Sequence, residues 1–370
     1  MECSYFGVCG SCKNYELSYD AQVLKKQRYI KELFEPLYIE SFETFVSPQQ
    51  HYRNRAEFRV WHDDSGMHYA MNQAQKKRVV LVESCPKVVE KIADLMSPLK
   101  KLIEEDEMLR HRLFSIEFLS SSTKVLVSLL YHKKIDESWD IHAKKLEDEL
   151  DIAVIGRSKK VKRVLSDDFV LDELRVNKTS YMYKIVEGGF SQPNSFVNAS
   201  MIEWATLHVK NTKDLLELYC GHGNFTIPFA KLFDRVLATE ISKPSIKAAK
   251  KSCELNGVNN IEFLRMSVED LTSAFNKERE FVRLRDIDLE SYNFSHVFVD
   301  PPRAGIDERS LEFISQFETI IYISCNPDTL KRDVEILIDR FELKDFAIFD
   351  QFPYTDHIES GIILEKRDLP

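Results

Sequence analysis

No run of about 18 apolar residues occurs in the sequence, so no segment of it reads as a bilayer-spanning helix. Glycine and proline are sparse, 11 and 12 in 370 residues, which excludes collagen-like and low-complexity architectures. The opening Met1-Glu2-Cys3-Ser4-Tyr5 lacks the basic and apolar regions of a signal peptide, so a cytoplasmic protein with no membrane association is expected. An excess of positive charge is also missing. The formal net charge is −9, which argues against a purely electrostatic nucleic-acid binder but leaves room for local basic patches. What is present suits packed cores: 44% hydrophobic and 30% charged residues. The length fits two domains and a short extra piece. Seven cysteines in such a chain read as free, catalytic or metal-bound rather than disulfide-bonded.

Three regions follow from the patterning: 1–40, a cysteine segment and a helix; 41–190, an α+β domain; and 191–370, an α/β domain. Residues 16–35 form the helix, with Leu17, Val23, Leu24, Ile30, Leu33 and Phe34 as its partly regular apolar face. In the second region Ala56, Phe58 and Val60 alternate along 55–61, and further strands are expected at 67–71, 78–82, 113–119, 124–131 and 152–156. Helices are expected near 87–104, kinked at Pro98, and near 138–150. Together these suit a mostly antiparallel sheet. From 215 onward strands and helices alternate: strands at 215–219, 235–239, 261–264, 296–299, 319–323, 343–349 and 360–365, helices near 225–233, 243–256, 308–316 and 328–340. That rhythm predicts a doubly wound, largely parallel sheet. No internal repeat is visible.

The segment from Leu215 to Phe225 is a strand, a glycine turn (Cys220-Gly221-His222-Gly223) and a helix start. The two glycines allow close backbone approach to a ligand. Glu240 ends the next strand and is placed to bind ribose hydroxyls. The third glycine of a dinucleotide fingerprint is absent, so an adenosine ligand without pyrophosphate, such as S-adenosylmethionine, fits better. A plain tight turn is the bland alternative.

Asp300 ends the strand Val297–Val299 and leads into Pro301-Pro302-Arg303. Ligands in such sheets sit beyond the strands' carboxyl ends, so Asp300 is expected at the same crevice. Cys325 follows the next strand at a helix start, where the helix N-terminus is expected to give it thiolate character. Cys220 and Cys253 read as small core residues. His357 and Glu359, in the segment between the last two strands, are candidate bases.

These motifs carry a resemblance. The chain resembles the tRNA (uracil-5-)-methyltransferases, of the RNA uracil-C5 methyltransferase family. The matching stretches are Ser191–Asn194, 215–225, Leu237–Glu240, Asp300–Arg303, Ile323–Pro327 and Asp350–Gly361, with Tyr52–His62, Leu109–Phe114 and Leu129–Lys134 in the central domain. Tyr219, Thr239-Glu240 and Asp350–Thr355 look like the tRNA branch. The rRNA members usually carry an additional N-terminal RNA-binding barrel, for which there is no room before residue 40.

The resemblance implies a Rossmann-like class I S-adenosylmethionine-dependent methyltransferase domain preceded by an α+β central RNA-binding domain. It makes Cys325 the nucleophile that adds to uracil C6 and Glu359 the base that removes the C5 proton. Gln192, Tyr219, Asn224, Glu240 and Asp300 would bind S-adenosylmethionine. The expected substrate is the T-loop uridine at position 54 of tRNA, recognised through the T-arm, with tmRNA or rRNA as further RNA partners and the protein acting as a monomer. An rRNA uracil-5-methyltransferase and a non-catalytic tRNA-folding or binding protein are the alternatives. A basic cluster of Arg157, Lys159, Lys160, Lys162 and Arg163, with Arg110, Arg112, Lys133 and Lys134, is expected to contact phosphates, a solvated charged face being the rival reading. Phe114 matches a family aromatic that fills space in the opened RNA loop; a strand core residue is its other reading.

Cys3, Cys9 and Cys12 have the spacing C-x5-C-x2-C, and Cys85 is followed by Pro86. Four thiolates are the usual ligands of a [4Fe–4S] cluster, one of them often before proline. Zinc with the same four ligands is the rival, and idle thiols are the bland reading. The rRNA relatives carry a similar cysteine set; familiar tRNA-branch members do not.

Overall fold

The structure, a computed structural model, describes residues 1–37, 41–74 and 78–367. The expected boundary at residue 40 lies outside the described residues. Helix α1 spans Tyr19–Phe34 and is capped by Ser18, whose side chain accepts from the Ala21 N–H. Its buried face is Tyr19, Gln22, Lys26, Ile30 and Phe34. Of the expected apolar face, Ile30 and Phe34 are buried, whereas Leu24 is 60% exposed and Leu17, 39% exposed, precedes the helix. Polar residues take the inner positions because they serve partners distant in sequence, described below.

Strand β1 (Glu43–Phe45) is followed by β2 (Arg55–Asp63), β3 (Gly66–Asn72) and β4 (Val79–Val82). Then come α2 (Glu90–Glu105), α3 (Glu107–Arg110), β5 (Leu113–Ser120), β6 (Val125–Tyr131), α4 (Glu137–Leu150), β7 (Ala153–Ser158) and β8 (Val161–Val164). The sheet order is β4-β3-β2-β5-β6-β7-β8. It is antiparallel except for β6 and β7, where α4 makes the crossover that a parallel pair requires. Helix α2 continues through Pro98 as one element, and its face of Ile92, Leu95, Met96, Leu99 and Ile103 is buried in the core beneath this sheet.

A hairpin that sequence patterning passed over comes next: β9 (Phe169–Val176) and β10 (Thr179–Val186), paired only with each other. Its alternation was legible, with Val170, Leu174 and Val176 buried opposite Tyr181, Tyr183 and Ile185.

The second half contains α5 (Ser195–Leu207), β11 (Asp214–Leu218), α6 (Thr226–Phe229), β12 (Arg235–Thr239), α7 (Lys243–Asn256), β13 (Ile261–Leu264) and α8 (Val268–Phe275). It ends with β14 (Phe294–Val299), α9 (Glu308–Ile314), β15 (Thr319–Ser324), α10 (Pro327–Leu337), β16 (Phe341–Phe349) and β17 (Glu359–Lys366). Strand order is β1-β16-β17-β15-β14-β11-β12-β13. Only β17 runs antiparallel to its neighbours; β1 joins this sheet beside β16. The order reverses between β11 and β14, the switch point where such sheets bind ligands. Apolar layers cover both faces, and the layer containing β9 and β10 also holds Leu119, Leu126, Ala153 and Ile155 of the central sheet. This is the expected α/β fold with an α+β unit before it.

Candidate active site

The carboxyl ends of β11, β12, β14 and β15 border a cavity of about 940 Å³ lined by Gln192, Tyr219, Gly221, Glu240, Asp300, Cys325 and Glu359, among others. Six of the seven expected catalytic and cofactor residues therefore meet at one place. Gly221 has φ +55° and an added Cβ would meet nothing within 4 Å, so its backbone faces open space. Tyr219 is held at φ +61°, a left-handed conformation uncommon for a residue with a side chain. Glu240 accepts the Gly221 N–H at 3.2 Å on one oxygen and the Ser242 N–H at 2.7 Å on the other. Both oxygens keep free lone pairs for hydroxyl donors. Gln192 accepts from the Gln351 amide at 2.8 Å.

Asn224 is the exception. It is not among the cavity's lining residues. Its side chain exchanges two 2.8 Å hydrogen bonds with Asn198, and its carbonyl accepts the Tyr183 hydroxyl at 2.9 Å. In this arrangement Asn224 supports the glycine turn.

Cys325 stands between the end of β15 and Asn326, the N-cap of α10. The cavity works against the expected thiolate character. Burial, then Glu359 and Asp300, push the thiol up to about 11. The Cys325 backbone N–H and the Arg303 charge act in the lowering direction and are outweighed. Asp300 is raised to about 7 by burial, and Glu359 to about 8 by burial and by Asp300. His357 also lines the cavity and is lowered by burial and by Arg303.

Sequence reasoning missed several lining residues. Phe190 and Ile241 are 71% and 70% exposed, so two large apolar side chains stay uncovered at this cavity. Ile241 follows Glu240 directly, which was the available signal. Lys87 is buried and donates to the Ser11 carbonyl at 3.1 Å and hydroxyl at 2.7 Å. Lys87 and Ser11 line a second, smaller cavity as well.

That smaller cavity, about 30 Å³, is bordered by all four of Cys3, Cys9, Cys12 and Cys85. The folded chain thus brings Cys85 to the N-terminal thiols. Among the described residues, however, no three His, Cys, Asp or Glu side chains are arranged to hold a metal ion. This bears equally on the cluster and on the zinc alternative.

The basic cluster is neutralised in part; exposed Arg112 and Lys134 have no carboxylate partner among the described residues. Arg157 pairs with Glu187, Lys162 with Asp168 at 2.9 Å, and Arg163 with Asp140. Arg110 pairs with Glu107, and Lys133 donates to the Met108 carbonyl at 2.7 Å. Among the described residues no carboxylate lies within ion-pair distance of Lys159 or Lys160, which are exposed on the turn between β7 and β8. Phe114 is half-buried rather than in the core. It stacks on exposed His132 with centroids 4.1 Å apart, and Arg59 lies 5.5 Å above its ring.

The doubly wound sheet, its antiparallel β17 and the cavity at its switch point define a Rossmann-like methyltransferase. The family model described as tRNA (Uracil-5-)-methyltransferase matches residues 18–367. A Sulfurovum sp. tRNA/tmRNA (uracil-C(5))-methyltransferase is 50% identical over 99% of this chain and 100% of its own length. One from Campylobacter concisus is 48% identical with the same coverage. The fold is similar to the crystal structure of Pyrococcus abyssi tRNA (uracil-54, C5)-methyltransferase in complex with S-adenosyl-L-homocysteine. That match has TM-score 0.74 and 22% identity, covering 95% of this chain and 84% of the other. The chain belongs to the tRNA (uracil-5-)-methyltransferase family.

Proposed function

We propose that the protein transfers the methyl group of S-adenosylmethionine to C5 of the T-loop uridine at position 54 of tRNA, and to the equivalent loop of tmRNA. The carrying observation is one cavity that joins Cys325, Asp300 and Glu359 to Tyr219, Gly221 and Glu240. The bare Gly221 backbone and the lone pairs of Glu240 fit the nucleoside part of the cofactor; Gln192 and Asp300, on the same cavity, would bind its remaining polar groups. Bound S-adenosylmethionine supplies a methyl electrophile on a positively charged sulfur. Cys325 Sγ, its proton lost to water, adds to uracil C6, and the C5=C6 pair moves to an enolate with carbanion character at C5. C5 bonds to the methyl carbon as that carbon's bond to sulfur breaks. Glu359 then takes the C5 proton, and the Sγ–C6 bond breaks to restore the double bond and the free cysteine.

The base must leave its stack to reach Cys325. The Phe114–His132 stack with Arg59, and Lys159 with Lys160, support the central sheet as the RNA surface, the first by stacking and the second through phosphates. No helix is long and apolar enough to cross a membrane among the described residues; a cytoplasmic monomer is the form we assign. Labelled S-adenosylmethionine incubated with tRNA, a T-arm hairpin and an rRNA fragment tests this. Label at T-loop uracil C5, abolished by Cys325→Ala with cofactor binding retained, is expected. Preference for the rRNA fragment, or full turnover by Cys325→Ala, defeats it.

The four cysteines we assign to a [4Fe–4S] cluster. The support is their shared cavity together with their spacing along the chain; a cube carries one thiolate on each of four corner irons. Anaerobically purified protein should be brown with about four irons per chain. Colourless protein without iron refutes the assignment.

A further inference from the structure

Resting on the function above, a further inference concerns the nine-residue connection between Phe349 and Glu359. These two residues are paired across β16 and β17, so the segment 350–358 is a hairpin loop ending at the proposed base. Phe352, Thr355 and His357 of this loop line the cavity. The loop makes few hydrogen bonds of its own. It is held from outside, by Gln192 and Asn194 at Gln351 and by residues more than 300 positions earlier in the chain.

Lys26 is central to that grip. It is 5% exposed and lies on the inner face of α1. Its Nζ donates to Asp350 Oδ1 at 2.6 Å, to the Phe352 carbonyl at 3.2 Å and to the His357 carbonyl at 2.8 Å. Three donors therefore meet acceptors on the first, third and eighth residues of one loop, which is the full capacity of an ammonium group. Neighbouring residues complete the hold. Tyr19 donates to Asp350 Oδ2 at 2.7 Å, and Gln22 accepts the Tyr354 N–H at 2.8 Å. The Tyr354 carbonyl accepts the Lys13 N–H at 2.8 Å.

A buried lysine is unfavourable unless its charge is compensated. A purely stabilising role would be filled by Asp350 alone. The two backbone carbonyls are different, because they belong to the residues that wall the cavity. We propose that Lys26 is a positioning residue for methyl transfer: by tying both ends of the 350–358 loop to one ammonium, it holds Phe352, His357 and the approach to Glu359 in the geometry that receives the uracil.

The test separates this role from stability. Lys26→Met strands a buried carboxylate at Asp350 and should unfold at lower temperature. The double variant Lys26→Met/Asp350→Asn removes both charges and should recover most of that melting temperature. Its methyl transfer to a T-arm hairpin should nonetheless fall about ten-fold or more, since the loop carbonyls stay untied. S-adenosylhomocysteine affinity should change by less than about three-fold, because Tyr219 and Glu240 lie on other strand ends. Amide exchange across 352–358 in the full chain should accelerate. Lys26→Arg keeps the charge but cannot set one nitrogen between both carbonyls, so it should lose turnover with little loss of stability. Wild-type turnover in either variant, or unchanged exchange at 352–358, overturns the proposal. Wild-type protein that methylates no RNA instead sinks the functional reading, while the exchange comparison still decides the role of Lys26.

Discussion

Glu359 and Asp300 are carboxyls kept in a poorly solvated cavity, and their titration has consequences for stability and for catalysis. Glu359 is raised from an ordinary 4.5 to about 8. Between those two values the folded protein holds a proton that the unfolded chain has released, so this group makes stability fall as pH rises through the window. Glu359→Gln removes that dependence. Its melting temperature should exceed the wild type's at pH 8, and the gap should shrink towards pH 5; a pH-independent gap would refute the burial argument. The same variant should trap the bond between Cys325 and the methylated uracil, seen as a protein–RNA band on a denaturing gel. For the free enzyme, Glu359 near 8 and Cys325 near 11 both favour alkaline conditions. The rate constant kcat/KM for RNA should therefore still rise between pH 7 and 9, and a plateau by pH 6 would contradict it.

At the scale of elements, β17 brings Glu359 to the cavity by pairing with β15 and β16, and its Gly361 packs on α5. A Cβ on Gly361 would sit 2.5 Å from the Trp204 ring, and Trp204 is itself locked by a 2.9 Å bond from its Nε1–H to Glu43. Gly361→Ala should destabilise the protein by about 1–3 kcal/mol in chemical denaturation and lower turnover, since the overpacked position lies two residues from the base. Unchanged stability would mean that the strand and helix can separate freely. The β9–β10 hairpin acts on the other wall. The Asn256 side chain pairs with both backbone groups of Met182, at 2.7 and 2.9 Å, and Tyr183 bonds the Asn224 carbonyl. Tyr183→Phe leaves that carbonyl without its donor, a loss of about 1 kcal/mol, and should weaken S-adenosylhomocysteine binding by calorimetry.

For the whole molecule, an acidic protein must bind an acidic polymer. Ion pairs hold Arg157, Lys162 and Arg163, while exposed Arg112, Lys134, Lys159 and Lys160 have no carboxylate partner among the described residues, so affinity should fall moderately with salt. Lys159→Ala/Lys160→Ala should reduce the slope of log affinity against log salt by at most about 2 and leave the maximal turnover intact. An unaltered slope would move the RNA surface elsewhere. The N-terminal segment matters at this scale too, because Ser11 and Lys87 line both the thiol cavity and the catalytic one.

The sequence by itself determined the alternating second half, the glycine turn, and Tyr219, Glu240, Asp300 and Cys325 at successive strand ends. These follow from local periodicity, and a parallel sheet with right-handed crossovers brings such ends to one edge. Only the tertiary structure decided the rest. Lys26 and Asp350 are 324 residues apart, so nothing local marks the inner face of α1 as polar. The basic cluster reads as free until Glu187 and Asp140 fold against it. Asn224 sits in the right motif yet turns to Asn198. The acidity of Cys325 depends on desolvation and on two carboxylates from other strands. Desolvation and Coulomb energies vary with distance and burial, and those are set by the folded chain rather than by spacing along it.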